Sequence, residues 1–396
     1  MLLIRITLLL ATVPGLAWSQ WVEVPELGLR VRQGFEIVRF ADDALAPDIY
    51  SMTIDPRGRV VVSSRGYIKR LLDSDGDGVA DRDELIAESG PGAMGLLFLD
   101  ETTLLAMEGG SFNRYTDRDG DGRIDPEADQ LAKFAGGEHG AHAIRIDGSG
   151  HVFVIGGNDA KFAGNPIVDP KERDAIEGGA LLRFSRDLSS AQVVAHGFRN
   201  PYDFDFDSLG EIYCYDSDCE REYLLPWYTP TRLYRVEVGA HHGWRLRGYK
   251  RGWKRPDYYP DSVRPLVTVG RGSPTGVVVY RHLAFPPEFH DAVFYCDWTF
   301  GKVYHTPVAG SLLEGGLALG GPMAEVFLES VGSNGFAPTD IEIAPDGTMY
   351  ISMGGRGTGG SVFRVRATDP GGVALAPAPG EVDMSLSAGG LAPAQE

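Results

Sequence analysis

One unit recurs along this chain: a strand, a turn built on Gly or on clustered acids, and a second strand rich in β-branched and aromatic residues. It occupies residues 49–63, 94–107, 142–155, 201–215, 276–297 and 340–352, around turns such as Asp55-Pro56-Arg57-Gly58 and Asp147-Gly148-Ser149-Gly150. A third strand follows each hairpin, at 67–72, 112–115, 180–184, 232–236, 302–305 and 361–365, and a fourth follows most of them, as at 84–88, 191–195 and 324–328. Six repeats of four strands, with almost no helical periodicity, predict an all-β six-bladed β-propeller of four-stranded blades. The last repeat stops after its third strand, whereas residues 34–40 form an orphan strand ahead of the first. Pairing the two closes the ring and removes two exposed sheet edges.

Residues 1–19 read as a secretory signal, with one Arg, a short apolar run at 6–13 and small residues at Ala17 and Ser19. Residues 20–33 form a lead-in, 34–367 the propeller, and 368–396 an Ala/Pro/Gly-rich tail expected to be disordered. No later segment is apolar enough to span a membrane, so the expected location is periplasmic or secreted. The net charge of -18 argues against nucleic acid as a partner. Three Cys do not make a disulfide framework, although Cys214 and Cys219 stand close enough in sequence to bridge a loop.

Strand order sorts the loops by face. Connections from the fourth strand to the next blade, and from second strand to third, share one face, which carries Arg65, His139, His142, Asn158, Asp159, Arg199, Asn200, Asp216, Asp218, Asp297, Trp298, Thr339, Asp340 and Arg356. A His ahead of the innermost strand of blade three suits a general base on a substrate hydroxyl, because its pKa lies near neutrality. Arg199 and Asn200 offer planar donors to an anion or developing oxyanion. The same residues also serve a plain scaffold, as a hydrogen-bonded His and an Arg paired across the channel. A channel metal on Asp216, Asp297 and Asp340, suited to hydrolysis, is a further option.

Two acidic loops join third to fourth strands on the opposite face. Asp73, Asp75, Asp77, Asp81 and Glu84 match a twelve-residue calcium loop, and Asp117, Asp119, Asp121 and Asp125 repeat it. So many carboxylates repel one another without a cation, and Ca²⁺, which takes six to eight oxygens, is the expected structural neutraliser. Most of the basic, aromatic stretch 241–271 falls in another connection of this kind, away from His139.

The order His139, then Gly197-Phe198-Arg199-Asn200-Pro201, then Gly243-Trp244 resembles the quinoprotein glucose/sorbosone dehydrogenase superfamily of six-bladed propellers. Gly137-Glu138-His139-Gly140-Ala141-His142, Gly272-Ser273-Pro274-Thr275-Gly276, Asp297-Trp298-Thr299-Phe300-Gly301 and Gly354-Gly355-Arg356-Gly357-Thr358 look more closely like the "membrane-bound dehydrogenase" propellers, associated with haem-binding domains, of planctomycete-type bacteria. The resemblance implies pyrroloquinoline quinone (PQQ), a tricarboxylate, as hydride acceptor. It places His139 at the base and Arg199 and Asn200 at quinone-binding positions; His142, Asp297, Trp298, Thr339, Asp340 and Arg356, on the same face, are further candidates for cofactor contacts. Two departures stand out. Where the sugar dehydrogenases place a Lys, this chain has Asp297-Trp298-Thr299-Phe300, and where they place two Arg it has Ala337-Pro338-Thr339.

The expectation is a periplasmic or secreted oxidoreductase acting on a sugar-like alcohol or aldehyde, with PQQ implied by the resemblance and a separate electron-carrier protein. The alternative is a non-catalytic, calcium-stabilised propeller that binds glycan or protein through the same face.

Overall fold

Six antiparallel sheets make the ring, and a computed structural model describes residues 21–222, 228–244, 262–308, 323–371 and 378–385. The expected signal at 1–19 lies outside the described residues, as do 245–261, most of the basic stretch 241–271. Blades one to four run in chain order from innermost to outermost strand, beginning at Ser51–Ile54, Ala93–Asp100, Ala141–Ile146 and Phe204–Phe206. Blade six takes Pro338–Ile343, Met349–Met353 and Ser361–Ala367 and is completed by Phe35–Ala41, the expected closing strand. Blade five begins at Pro274–Val279 and carries two strands beyond its fourth, because Trp21–Val24 and Leu29–Arg32 add a hairpin to its outer edge. The lead-in is therefore part of a sheet.

The alternation of apolar residues with Asp in the fourth blade resolves into two tasks. Phe204 and Phe206 are fully buried beside Phe153, Ile155 and Ile212, in the cluster that joins blades three and four. The intervening acids face inward, where the innermost strand of each blade is a sheet edge with unpaired N–H groups. Asp203 accepts the Val277 N–H at 2.9 Å and Asp205 the Val279 N–H at 2.8 Å, both from blade five. Asp340 of blade six does the same for Met52 of blade one at 2.7 Å. Each carboxylate thus satisfies the free edge of the next blade.

Within the stretch expected to be a tail, residues 378–385 pack on the hairpin-turn face. Gly380 accepts the Gly148 N–H at 3.1 Å and donates to Asp207 O at 2.9 Å, and Val382 is buried at 3 % exposure against the fourth blade's core. Cys214 and Cys296 are buried thiols outside any disulfide, so the bridge from Cys214 to Cys219 is not formed.

Candidate functional site

The mouth of the ring is organised by Asp216, at the end of the second strand of blade four and fully buried. Its carboxylate accepts the backbone N–H groups of Arg199 at 2.9 Å and Asn200 at 2.7 Å, while Arg232 lies 3.4 Å away. The Arg-Asn turn is therefore held by its main chain. The Arg199 guanidinium binds Ser217 Oγ and Glu220 Oε2, both at 2.6 Å, and sits 5.7 Å from the Trp244 ring centre. Trp244 arrives there because the segment after blade four's third strand runs back alongside blade three, bridging His196 to His241 in parallel. The first residues of the stretch 241–271 thus climb to the mouth, beside Arg199.

His139 sits half-buried in the same knot. Its Nδ1 is 2.7 Å from Asn158 Oδ1, and the Asn158 amide donates from Nδ2 to Asp159 Oδ1 at 2.9 Å. That second bond fixes which end of the amide faces the ring, so in the neutral ring Nδ1 carries the proton and Nε2 the lone pair. Main-chain bonds tie the set together, from Asn158 N–H to Arg199 O at 2.8 Å and from Asp159 N–H to His139 O at 3.0 Å. Asn200 Nδ2 donates to Glu138 O at 2.9 Å. A Cβ on residue 157 would stand 2.4 Å from Asn200 Oδ1 and 2.9 Å from His139 O, which is why Gly157 occupies the centre of this approach. His139, Arg199 and Asn200 are brought together.

The other expected residues divide. Trp298 is half-buried at the mouth, its Nε1–H bonded to Gly354 O at 2.7 Å, and Arg356 lies over its ring and pairs with Glu138 at 2.5 Å. His142 is fully buried, with Nδ1 3.1 Å from Pro201 O, and burial pushes its pKa down. It packs beneath the mouth, 5.2 Å from the Tyr202 ring. Thr339 is buried on Ser352, and Asp218 takes the Tyr228 hydroxyl. The channel-metal trio is not assembled: Asp216 and Asp340 are engaged as described, and Asp297 Oδ1 accepts the N–H groups of Ser273, Thr299 and Phe300. Burial raises the Asp297 pKa, and its second oxygen has no partner among the described residues.

Below the mouth the throat is closed by polar groups. Tyr202 donates its hydroxyl to Tyr50 O across the ring at 2.7 Å. Arg145, in the innermost strand of blade three, binds Asp203 and Glu342 at 2.6 Å each and Val277 O at 3.1 Å. Burial raises the pKa values of Asp203 and Asp340, and pushes Glu342 up to about 7. The remaining cavity among Met52, Met94, Tyr202, Asp203 and Asp340 is about 10 Å³, room for about one water. A wider cavity of about 910 Å³ lies on the opposite face, lined by the ion-paired Asp55, Arg57, Arg59, Arg70 and Glu84. Asp-to-amide and Asn-to-His spacing gave no sequence signal for the Asn158 and Asp159 relay, whereas a charged residue at position 145 of an inner strand is one.

On that opposite face, carboxylate oxygens of Asp73, Asp75 and Asp77 lie within 4.8 Å of one another, as do those of Asp117, Asp119 and Asp121. Asp81 is not in the first cluster, Glu84 pairs with Arg70 at 2.9 Å, and Asp125 accepts the Arg118 N–H at 2.7 Å.

A family model described as "Domain of unknown function (DUF7133)" matches residues 27–352. No curated protein matches. Among solved structures, a Trichoderma reesei Carbohydrate-Active Enzymes Family AA12 protein is 14 % identical at TM-score 0.62, over 89 % of this chain and 98 % of its own. The PQQ-bound aldose sugar dehydrogenase of Streptomyces coelicolor is 15 % identical at TM-score 0.59, over 84 % and 98 %. The PQQ domain of a Coprinopsis cinerea pyranose dehydrogenase is 14 % identical at TM-score 0.59, over 85 % and 97 %. These likenesses establish the shared propeller fold.

The mouth does not fit a tricarboxylate. The position of the expected Lys holds the buried Asp297 and a Trp298 indole locked to Gly354, and Arg199 is already neutralised by Glu220. An additional carboxylate there would meet Glu138, Asp159 and Glu220 with no uncommitted guanidinium among the residues of this knot.

Proposed function

The chain belongs to the DUF7133 family, and from that premise we propose that it is a periplasmic or secreted oxidoreductase acting on a hydroxyl or hydrated aldehyde of a sugar-like substrate. The observation that carries this reading is the His139 tautomer. With Nδ1–H committed to Asn158, Nε2 is the basic nitrogen, ready to take a hydroxyl proton at the mouth. Asn200 and the Arg199 main chain hold the loop that presents it. Sugar dehydrogenases on the same fold support the substrate class. The two Asp clusters, which would each hold a structural Ca²⁺, belong to the opposite face. The hydride that leaves the carbon as His139 takes the hydroxyl proton would go to a dissociable two-electron acceptor of the quinone class, and its electrons on to a separate carrier.

A second reading, a calcium-stabilised propeller that binds glycan or protein without turnover, is favoured by the missing cations at Asp297-Trp298 and Ala337-Pro338-Thr339. Dye reduction by purified protein over a sugar panel, with and without added PQQ and Ca²⁺, separates the two. Sugar-dependent reduction supports the oxidoreductase. Calorimetric sugar binding with no reduction under any of these conditions selects the binding module.

A further inference from the structure

Arg356 stands out among the cations of the mouth. It occupies the loop between the second and third strands of blade six, with φ of 57° between Gly355 at 80° and Gly357 at 77°. A side-chain-bearing residue seldom adopts this left-handed conformation, and such positions gather at functional sites. The loop projects its guanidinium over Trp298, 5.6 Å from the ring centre, and on to the Glu138 carboxylate contributed by a connection 218 residues earlier. The side chains of this pair are 66 % and 71 % exposed. Arg199, by contrast, is only 11 % exposed and is bound to both Ser217 and Glu220.

An ion pair this exposed contributes little to stability and exchanges readily. Its two halves are nonetheless placed with care. Glu138 immediately precedes His139, and Asn200 fixes its carbonyl, so the backbone stays put while the carboxylate remains free to leave. A ligand carboxylate that replaced Glu138 would meet the same planar fork, desolvated on one side by the Trp298 indole. It would also hold that ligand at the connection that carries His139, the residue after Glu138.

We propose that the ligand of the mouth is a sugar acid, whose carboxylate displaces Glu138 from Arg356. This rests on the sugar-directed reading above and adds the charge of the substrate. Arg356 is an exchangeable cation on the face that carries the base, which suits a single carboxylate.

Titration calorimetry of the full chain at low salt tests it with galacturonate and galactose as the paired probes. Galacturonate is expected to bind about two- to five-fold tighter than galactose, the ratio set by one exposed charge pair. Arg356→Gln should bring that ratio close to one, and Glu138→Gln, which removes the competitor, should widen it about two- to five-fold. Both residues are on the surface, and melting curves matching the parent protein verify the fold of each variant. Equal affinities in the parent protein, or a ratio untouched by Arg356→Gln, overturn the proposal. A carboxylate preference without dye reduction retains the proposal and sinks oxidation. Dye reduction with equal affinities does the reverse, and no binding of either sugar removes both.

Discussion

Arg145 and Arg356 each carry a guanidinium from one blade of the ring to a carboxylate on another, one in the throat and one at the mouth. In the throat, the side chains of Arg145, Asp203 and Glu342 are 14 %, 3 % and 12 % exposed, and the Arg also reaches Val277 O. At the mouth, Arg356 meets Glu138 alone, with both largely in water. The chemistry is the same, and the surroundings reverse what it does. Buried charges in a low dielectric cannot change partners without a large desolvation cost, so Arg145 fastens blades three, four, five and six. Exposed charges exchange with whatever arrives. The ring is stitched at its axis so that its rim can stay adaptable.

The contrast can be broken in order of expected effect. Arg145→Leu leaves Asp203 and Glu342 without their cation and should cost about 3–5 kcal/mol in chemical denaturation, the scale for unpairing a buried bridge; a loss below about 1 kcal/mol would mean the throat is solvated. His139→Ala should leave the melting temperature near that of the parent protein while lowering sugar turnover by about 100-fold, the scale of general-base catalysis.

Glu342 offers a pH test. Burial raises its carboxyl to about 7, above the ordinary 4.5, so its stabilising contribution is complete below 4.5 and is lost as pH rises towards 7. Asp203 and Asp340 are raised in the same sense. The melting temperature of Glu342→Gln should therefore climb relative to the parent protein between about pH 5 and 8; a relative fall would make ionised Glu342 a net stabiliser. Chelation should lower the melting temperature by a few degrees through the loops at Asp73 and Asp117, and an unchanged value removes calcium from the account. Arg356→Gln closes the series, with a stability change within about 0.5 kcal/mol, as for an exposed pair.

Much of the ring was legible because its signals are local. Period-two alternation, Gly and Asp turns and the orphan strand at 34–40 each declare themselves within about a dozen residues. The hairpin of Trp21–Val24 and Leu29–Arg32 was not, since its partner strand Glu325–Ser330 lies some 300 residues away. Val382 looked like part of a featureless tail because composition does not reveal a docking site on another blade. At the mouth, His139, Arg199 and Asn200 could be placed on one face from strand order. Their coupling could not: it depends on Asn158 turning its amide between His139 and Asp159, and on Asp216 binding main-chain N–H groups instead of a metal. His142 shows the converse, a promising residue type that the fold spends on packing.

The account turns on His139 meeting a sugar with its Nε2 unprotonated. Nitrogen-edited NMR of the imidazoles during a sugar titration reads this directly, with the buried His142 as an internal reference. The account predicts a His139 with a proton on Nδ1, whose Nε2 resonance moves on addition of sugar while that of His142 stays. A folded protein in which His139 carries its proton on Nε2, or keeps both resonances fixed through the whole panel, would contradict it.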